Sequence, residues 1–196
     1  MRASAATLRL AVFPRVGFLA DAVLVLVGTG LVAAAAQVSI PFEPVPLTGQ
    51  TFAVLLVGSS LGALRGLASL ALYLLLGVAG APIYADGRHG WSIITGASGG
   101  YIVGFVLAAA VVGYLAERGW DRRFSSAVGA MLTGNVIIYA VGLPWLAVVL
   151  DTDLEKTLEL GLYKFVPGDL LKLYLAAALL PTAWRAVERV RGRRRR

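Results

Sequence analysis

The chain has 196 residues, of which 58% are hydrophobic and 15% charged, and with a mean hydropathy of +0.78 it carries more apolar surface than one soluble core absorbs, so a bilayer must supply the solvent. The absence of cysteine excludes disulfide frameworks, thiolate metal sites, cysteine nucleophiles and haem attachment. A net charge of +7 does not point to nucleic acid, because the basic residues gather at the ends of apolar stretches and in the tail 191–196, the pattern of membrane orientation and anionic headgroups.

The first apolar run, 16–38, follows Arg2, Arg9 and Arg15. Ala34-Ala35-Ala36 resembles a signal cleavage site, but the run exceeds the roughly 7 to 15 residues of a signal core and suits the ~20 of a crossing, so a retained span is predicted. Asp21 is expected only to snorkel or to pair with Arg15. Next, Pro41, Pro44 and Pro46 exclude a regular helix over 40–50 and predict a stiff, extended or folded-back loop that can act as a lid. Spans 46–64 and 66–80 share one apolar region broken only by Arg65; a single helix over 46–80 is too long for a bilayer, so a tight hairpin is predicted. A segment with Pro82, Tyr84, Asp86, Arg88, His89 and Trp91 leads to spans 97–117 and 125–150. The acidic stretch 151–159 is predicted as a short surface helix, before the last span, 164–186. No solenoid-type repeat is visible. The reading is a single integral membrane domain over 1–196, an all-α bundle of six transmembrane helices.

Charge tests that map. With a cytoplasmic N-terminus, fourteen of the eighteen basic residues fall on the inner face and three, Arg88, Lys156 and Lys164, on the outer; Lys172 lies within the last span. The positive-inside rule predicts this asymmetry, which disfavours an odd number of spans and leaves both termini cytoplasmic.

Within the last span, Gly168-Asp169-Leu170-Leu171-Lys172 puts an acid and a base one turn apart on one helical face. Each costs about 2.5 to 3.5 kcal/mol at a helix centre, so such residues face the bundle interior and mark a site by default. The competing reading is a structural pair that only fixes helix packing. Pro167 and Gly168 predict a break whose freed backbone groups line a cavity. At similar depth lie Thr48, Gln50 and Thr51, then Gly99, Gly100 and Tyr101, and then Tyr139 and Trp145. A flat, uncharged ligand fits between such aromatic walls with a few directed hydrogen bonds; interfacial anchoring is the alternative for Tyr139 and Trp145. Gly28 with Val32, Gly30 with Ala34, Gly100 with Gly104 and Ala109 with Gly113 have spacings that allow close helix approach.

Pro46-Leu47-Thr48-Gly49-Gln50-Thr51, Leu61-Gly62-Ala63-Leu64-Arg65-Gly66, Tyr73 with Gly77, Gly80-Ala81-Pro82, Gly99-Gly100-Tyr101-Ile102-Val103-Gly104-Phe105 and Pro167-Gly168-Asp169-Leu170-Leu171-Lys172 occur in this order. The combination resembles the BioY family of biotin transporters, over about residues 37–178. The resemblance implies a six-helix substrate-binding subunit of an energy-coupling-factor (ECF) transporter, in a prokaryotic plasma membrane, holding biotin near the outer face. It implies that Asp169 and Lys172 grip the ureido ring, whose two N–H donors and one carbonyl suit a carboxylate and an ammonium. Thr48, Gln50, Gly100, Tyr101 and Tyr139 would complete the site, with Arg88 as candidate partner of the ligand carboxylate. A transmembrane coupling subunit and two ATPases would supply energy; biotin is cargo and no cofactor is implied. This chain has Gly96-Ala97-Ser98 where the family usually has Gly-Pro-Thr, and it lacks the phosphate-binding loop of P-loop ATPases.

Three alternatives remain at this point. A sister subunit for another vitamin would use the same scaffold. A rhomboid-like serine protease would use Gly96-Ala97-Ser98-Gly99, but needs a base, and the one histidine, His89, precedes that motif. A structural subunit would bind no small molecule.

Overall fold

The computed structural model describes residues 7–12 and 17–193, with side chains through residue 190. Arg2, Arg15 and the side chains of the basic tail lie outside the described residues. A short helix α1 (Leu8–Val12) precedes α2 (Phe18–Ala36). Strands β1 (Ser39–Ile40) and β2 (Leu47–Thr48) pair antiparallel, with Ser39 opposite Thr48 and Ile40 opposite Leu47. The proline-rich segment is thus a folded-back hairpin, closed where the Gly49 N–H donates to Val38 O at 2.9 Å. Helices α3 (Gln50–Leu61) and α4 (Ala63–Val78) follow, then a 3-10 turn (Ala85–Gly87), α5 (Trp91–Thr95), α6 (Gly99–Glu117), α7 (Phe124–Leu150), α8 (Leu154–Leu158), a π turn (Glu159–Tyr163) and α9 (Val166–Arg193).

Among the described residues four helices, α2, α6, α7 and α9, are long and apolar enough to cross a membrane. The apolar helices α3 and α4 have 12 and 16 residues, so at ~1.5 Å per residue they rise only about 18 and 24 Å. The predicted hairpin between them is present, but the chain reverses at Gly62, where φ is +88°, rather than at Arg65. A positive φ suits glycine, which has no Cβ to clash. Arg65 remains inside α4 because its charge is matched: Nη2 lies 2.6 Å from Asp21 Oδ2. Asp21 also pairs with Arg9, so it is the centre of a three-residue ionic cluster rather than a snorkelling side chain.

Helix α6 runs through the middle of the bundle, burying Ile102, Phe105, Ala108, Ala109, Val112 and Ala116. Small residues set its distance from its neighbours. A Cβ on Gly58 of α3 would stand 2.6 Å from Ala109 O, one on Gly66 of α4 would stand 3.2 Å from the same oxygen, and one on Gly104 would reach 3.0 Å from Ile138 Cα of α7. These approaches let helices associate without a large apolar residue between them. Gly28 packs likewise on Ser69, whereas a Cβ on Gly30 would meet nothing within 4 Å among the described residues. Helix α2 presents Phe18, Leu19, Leu26 and Val27 outward, as expected of a lipid-facing helix.

The hairpin, the segment around α5 and the α8 turn gather at one end of the bundle. Gln37 ties two of them: its Nε2 donates to Tyr84 O and its Oε1 accepts from Gly87 N, both at 3.1 Å. The acidic stretch does form a short helix, α8, capped by Asp153 accepting from Lys156 N at 2.8 Å. The opposite end holds the Arg9–Asp21–Arg65 cluster and the α6–α7 turn, where buried Asp121 accepts from Trp184 Nε1 at 2.6 Å.

Candidate functional site

Helix α9 begins at Val166, so Pro167 falls in its first turn, where a missing N–H costs little and the fixed φ is already helical. The predicted break is therefore the start of the helix, not an interruption within it. Asp169 consequently sits in the first helical turn, where the positive end of the helix dipole favours a carboxylate. The hairpin presses onto this turn: a Cβ on Gly168 would meet Leu47 Cδ2 at 3.3 Å.

Asp169 is 5% exposed. Its Oδ1 accepts from Lys172 Nζ at 3.0 Å and from the Thr51 hydroxyl at 3.2 Å, and its Oδ2 accepts from the Tyr139 hydroxyl. Lys172 Nζ also donates to Thr51 Oγ1 at 3.1 Å. Thr51 thus receives from the cation while donating to the anion, and α3, α7 and α9 meet in one network. Both charges point inward. Burying such a pair is tolerable only because the lone pairs and N–H groups around it are matched.

Beside this network, Thr48 Oγ1 donates to Gln50 Oε1 at 2.8 Å, and Gln50 Nε2 donates to Tyr73 Oη at 2.7 Å. Tyr73 passes the chain on to Ile83 O at 3.1 Å, which links the start of α3 to the loop after α4. Tyr101 stands edge-on to Tyr139, ring centres 6.2 Å apart, and donates to Gly161 O at 2.9 Å. Its seat needs glycines: a Cβ on Gly142 or on Gly161 would come within 2.6 Å of the Tyr101 ring or hydroxyl.

Thr48, Gln50, Thr51, Tyr101, Tyr139, Asp169 and Lys172 line a cavity roofed by the hairpin, with Val45, Leu47, Phe105, Ile138 and Phe165 supplying apolar walls and Ser98 also in its lining. Its volume of about 60 Å³ is well below the ~300 Å³ at which small-molecule sites begin. Arg88 lines the same cavity, half-buried, with Nε donating to Ala85 O at 3.1 Å; among the described residues no carboxylate forms an ion pair with it.

Of the residues singled out from the sequence, Asp169, Lys172, Gln50, Thr48, Tyr101, Tyr139 and Arg88 share this cavity. Gly100 does not line it; it accommodates α7, since a Cβ there would lie 2.3 Å from Trp145 Cβ. Trp145 anchors the loop before α6 by donating Nε1 to Gly96 O at 3.0 Å. Thr51, flagged only for its depth, proves to bridge the charged pair. Phe165 was missed; its place two residues before Pro167-Gly168-Asp169 was the available signal. His89 is exposed, its Nδ1 3.4 Å from Gly87 O.

Comparison with known proteins shows the family. The chain is 38% identical to the biotin transporter BioY of Thermotoga maritima over 151 residues, covering 77% of this chain and 88% of the relative. It is 37% identical to the biotin transporter BioY of Rhizobium etli over 149 residues, covering 72% and 79%. The fold matches the crystal structure of the S-component for biotin from an ECF-type ABC transporter, with a TM-score of 0.73, 23% identity, and coverage of 85% of this chain and 92% of that one. With the model of the BioY family matching residues 4–189, nearly the whole length is accounted for, and the chain belongs to the BioY family.

Proposed function

We propose that this membrane protein binds biotin near the outer face and delivers it into the cell as the substrate-binding subunit of an ECF-type vitamin transporter. The observation that carries the proposal is the inward-facing Asp169–Thr51–Lys172–Tyr139 network on the wall of a lidded apolar cavity. A ureido ring offers two N–H groups and a carbonyl. Asp169 is suited to accept from the former and Lys172 to donate to the latter, each a charge-assisted hydrogen bond. Tyr101, Tyr139 and Phe165 would flank the bicycle and chain, Thr48 and Gln50 would hold the hairpin's root, and Arg88 at the mouth would meet the terminal carboxylate. Gly100 would serve indirectly, by letting α7 approach.

Six crossings follow if α3 and α4 span with help from the hairpin, since irregular backbone is tolerated at membrane depth where it lines a cavity. Both termini are then cytoplasmic, and the chain forms one multi-pass domain in a prokaryotic plasma membrane. A transmembrane coupling subunit and two ATPases would provide the energy. Membership of a transporter family displaces the serine-protease reading of Gly96-Ala97-Ser98-Gly99.

Equilibrium binding of labelled biotin to the detergent-purified chain tests the proposal. Saturable binding is expected, competed by biotin and not by thiamine, riboflavin or niacin. Asp169→Asn and Lys172→Ala should each weaken it by at least ~100-fold, because removing one partner of a buried pair costs about 3 to 5 kcal/mol. Binding of another vitamin, or unchanged biotin affinity in both variants, overturns it.

A further inference from the structure

The end of the bundle opposite the cavity holds a second concavity, built from the close of α6, the turn after it and the start of α7. It is an open pocket of about 510 Å³ lined by Glu117, Arg118, Arg122, Arg123 and Ser126, with Trp120 at its wall. Asp169 and Trp184 are both on α9, fifteen residues apart, so at ~1.5 Å per residue this end lies about 22 Å along the helix from the charged pair. None of the residues lining the first cavity lines this one.

Its chemistry is that of an acidic-phosphate receptor. Three guanidinium groups line it against one carboxylate, Glu117, whose Oε1 accepts from Ala63 N at 2.9 Å; a second carboxylate, Asp121, is buried in the same turn and acts on Arg122. Two of the arginines are held in place by stacking. Arg118 Cζ lies 4.2 Å from the centre of the Tyr114 ring and Arg122 Cζ lies 4.5 Å from that of Trp184. Stacking occupies the face of a guanidinium, while the N–H groups of Arg118 radiate in the plane where phosphate oxygens bind. Arg123 stands exposed at the N-cap of α7, and no side chain caps that helix, so the dipole adds to the same positive field. Tyr114, Trp120 and Phe124 are exposed beside the pocket, the amphipathic and apolar belt found at headgroup depth.

A scatter of arginines answering only to topology would need neither the pocket nor the stacking. We infer that this pocket binds the headgroup of an anionic phospholipid of the leaflet facing the α6–α7 turn, with Arg118 and Arg123 on the phosphate. The inference rests on the membrane reading above but not on biotin as the ligand.

Native mass spectrometry of the full chain, with phosphatidylglycerol and phosphatidylcholine of matched acyl chains at equal concentration, tests it. Preferential retention of phosphatidylglycerol is expected. The double variant Arg118→Gln/Arg123→Gln should lose about tenfold or more of that affinity, at about fivefold per arginine. Arg185→Gln, a basic change at the same end outside the pocket, should retain the preference. Biotin binding should be normal in both, which separates failure of this site from failure of the transport proposal. No lipid preference in the wild type, an equal loss with Arg185→Gln, or displacement of the lipid by millimolar inorganic phosphate that itself binds as tightly overturns the assignment.

Discussion

Replacing Tyr139 with Phe removes one oxygen and leaves ring, rotamer and volume in place. That oxygen donates to Asp169 Oδ2, and among the described residues it is the only partner of Oδ2, because Lys172 and Thr51 both address Oδ1. Asp169 is too buried for bulk water to fill the gap freely. A hydrogen bond to a charged group contributes about 1.5 to 3 kcal/mol, and leaving a buried carboxylate oxygen unmatched costs a similar amount. If Tyr139 holds Asp169 in the orientation that meets the ligand, Tyr139→Phe should weaken biotin binding by roughly tenfold to 150-fold. Isothermal titration calorimetry on the detergent-purified chain reads this directly, with a parallel thermal melt to report the cost to the free protein. An affinity within twofold of wild type, accompanied by a lowered melting temperature, would refute the reasoning: Asp169 would then exchange Tyr139 for a ligand N–H, and Tyr139 would be a structural partner of the empty state alone.

Arg88→Ala should weaken biotin severalfold and leave biotin methyl ester unchanged; equal losses for both ligands would remove Arg88 from the carboxylate. Gly58→Ala should cost about 1 to 3 kcal/mol and lower the melting temperature, since its Cβ would come within 2.6 Å of Ala109 O and 3.0 Å of its Cα, backbone atoms that cannot rotate away; an unchanged melt would show that α3 and α6 separate easily. Burial raises the carboxyl of Asp121, in the turn between α6 and α7, to about 6 from an ordinary 3.8. The folded state therefore binds a proton more tightly than the unfolded chain, so this contribution to stability is complete below about pH 4 and is lost as pH rises through about 6. Thermal melts of wild type against Asp121→Asn should differ in slope across that window, the variant being flatter; parallel profiles would contradict the sign.

Family membership and membrane class were readable from the sequence, and so was the principal acid–base pair. A hydrocarbon solvent makes apolar runs long and ionisable residues rare, so Asp169 and Lys172 stand out without any knowledge of what surrounds them. The prolines at 41, 44 and 46 likewise announced a non-helical segment, because a missing N–H and a fixed φ are local properties. The chain reversal was legible as a hairpin but assigned to the wrong residue. Charge marks Arg65, whereas the turn depends on a backbone angle that only Gly62 meets cheaply.

Contacts between distant segments were not legible. Thr51 and Asp169 are 118 positions apart, and no local pattern says that a threonine on α3 will bridge a carboxylate and an ammonium on α9. Gly100 reads as part of a ligand motif, and only the crossing of α6 and α7 makes it a packing residue. Asp21 reads as a charge that snorkels or pairs with Arg15, and it is α1 and α4 that bring Arg9 and Arg65 to it. The sequence by itself determined which residues are too costly to face lipid; the tertiary structure decided what each of them faces instead. A solvation cost belongs to one residue, whereas a partner is set by how several helices pack.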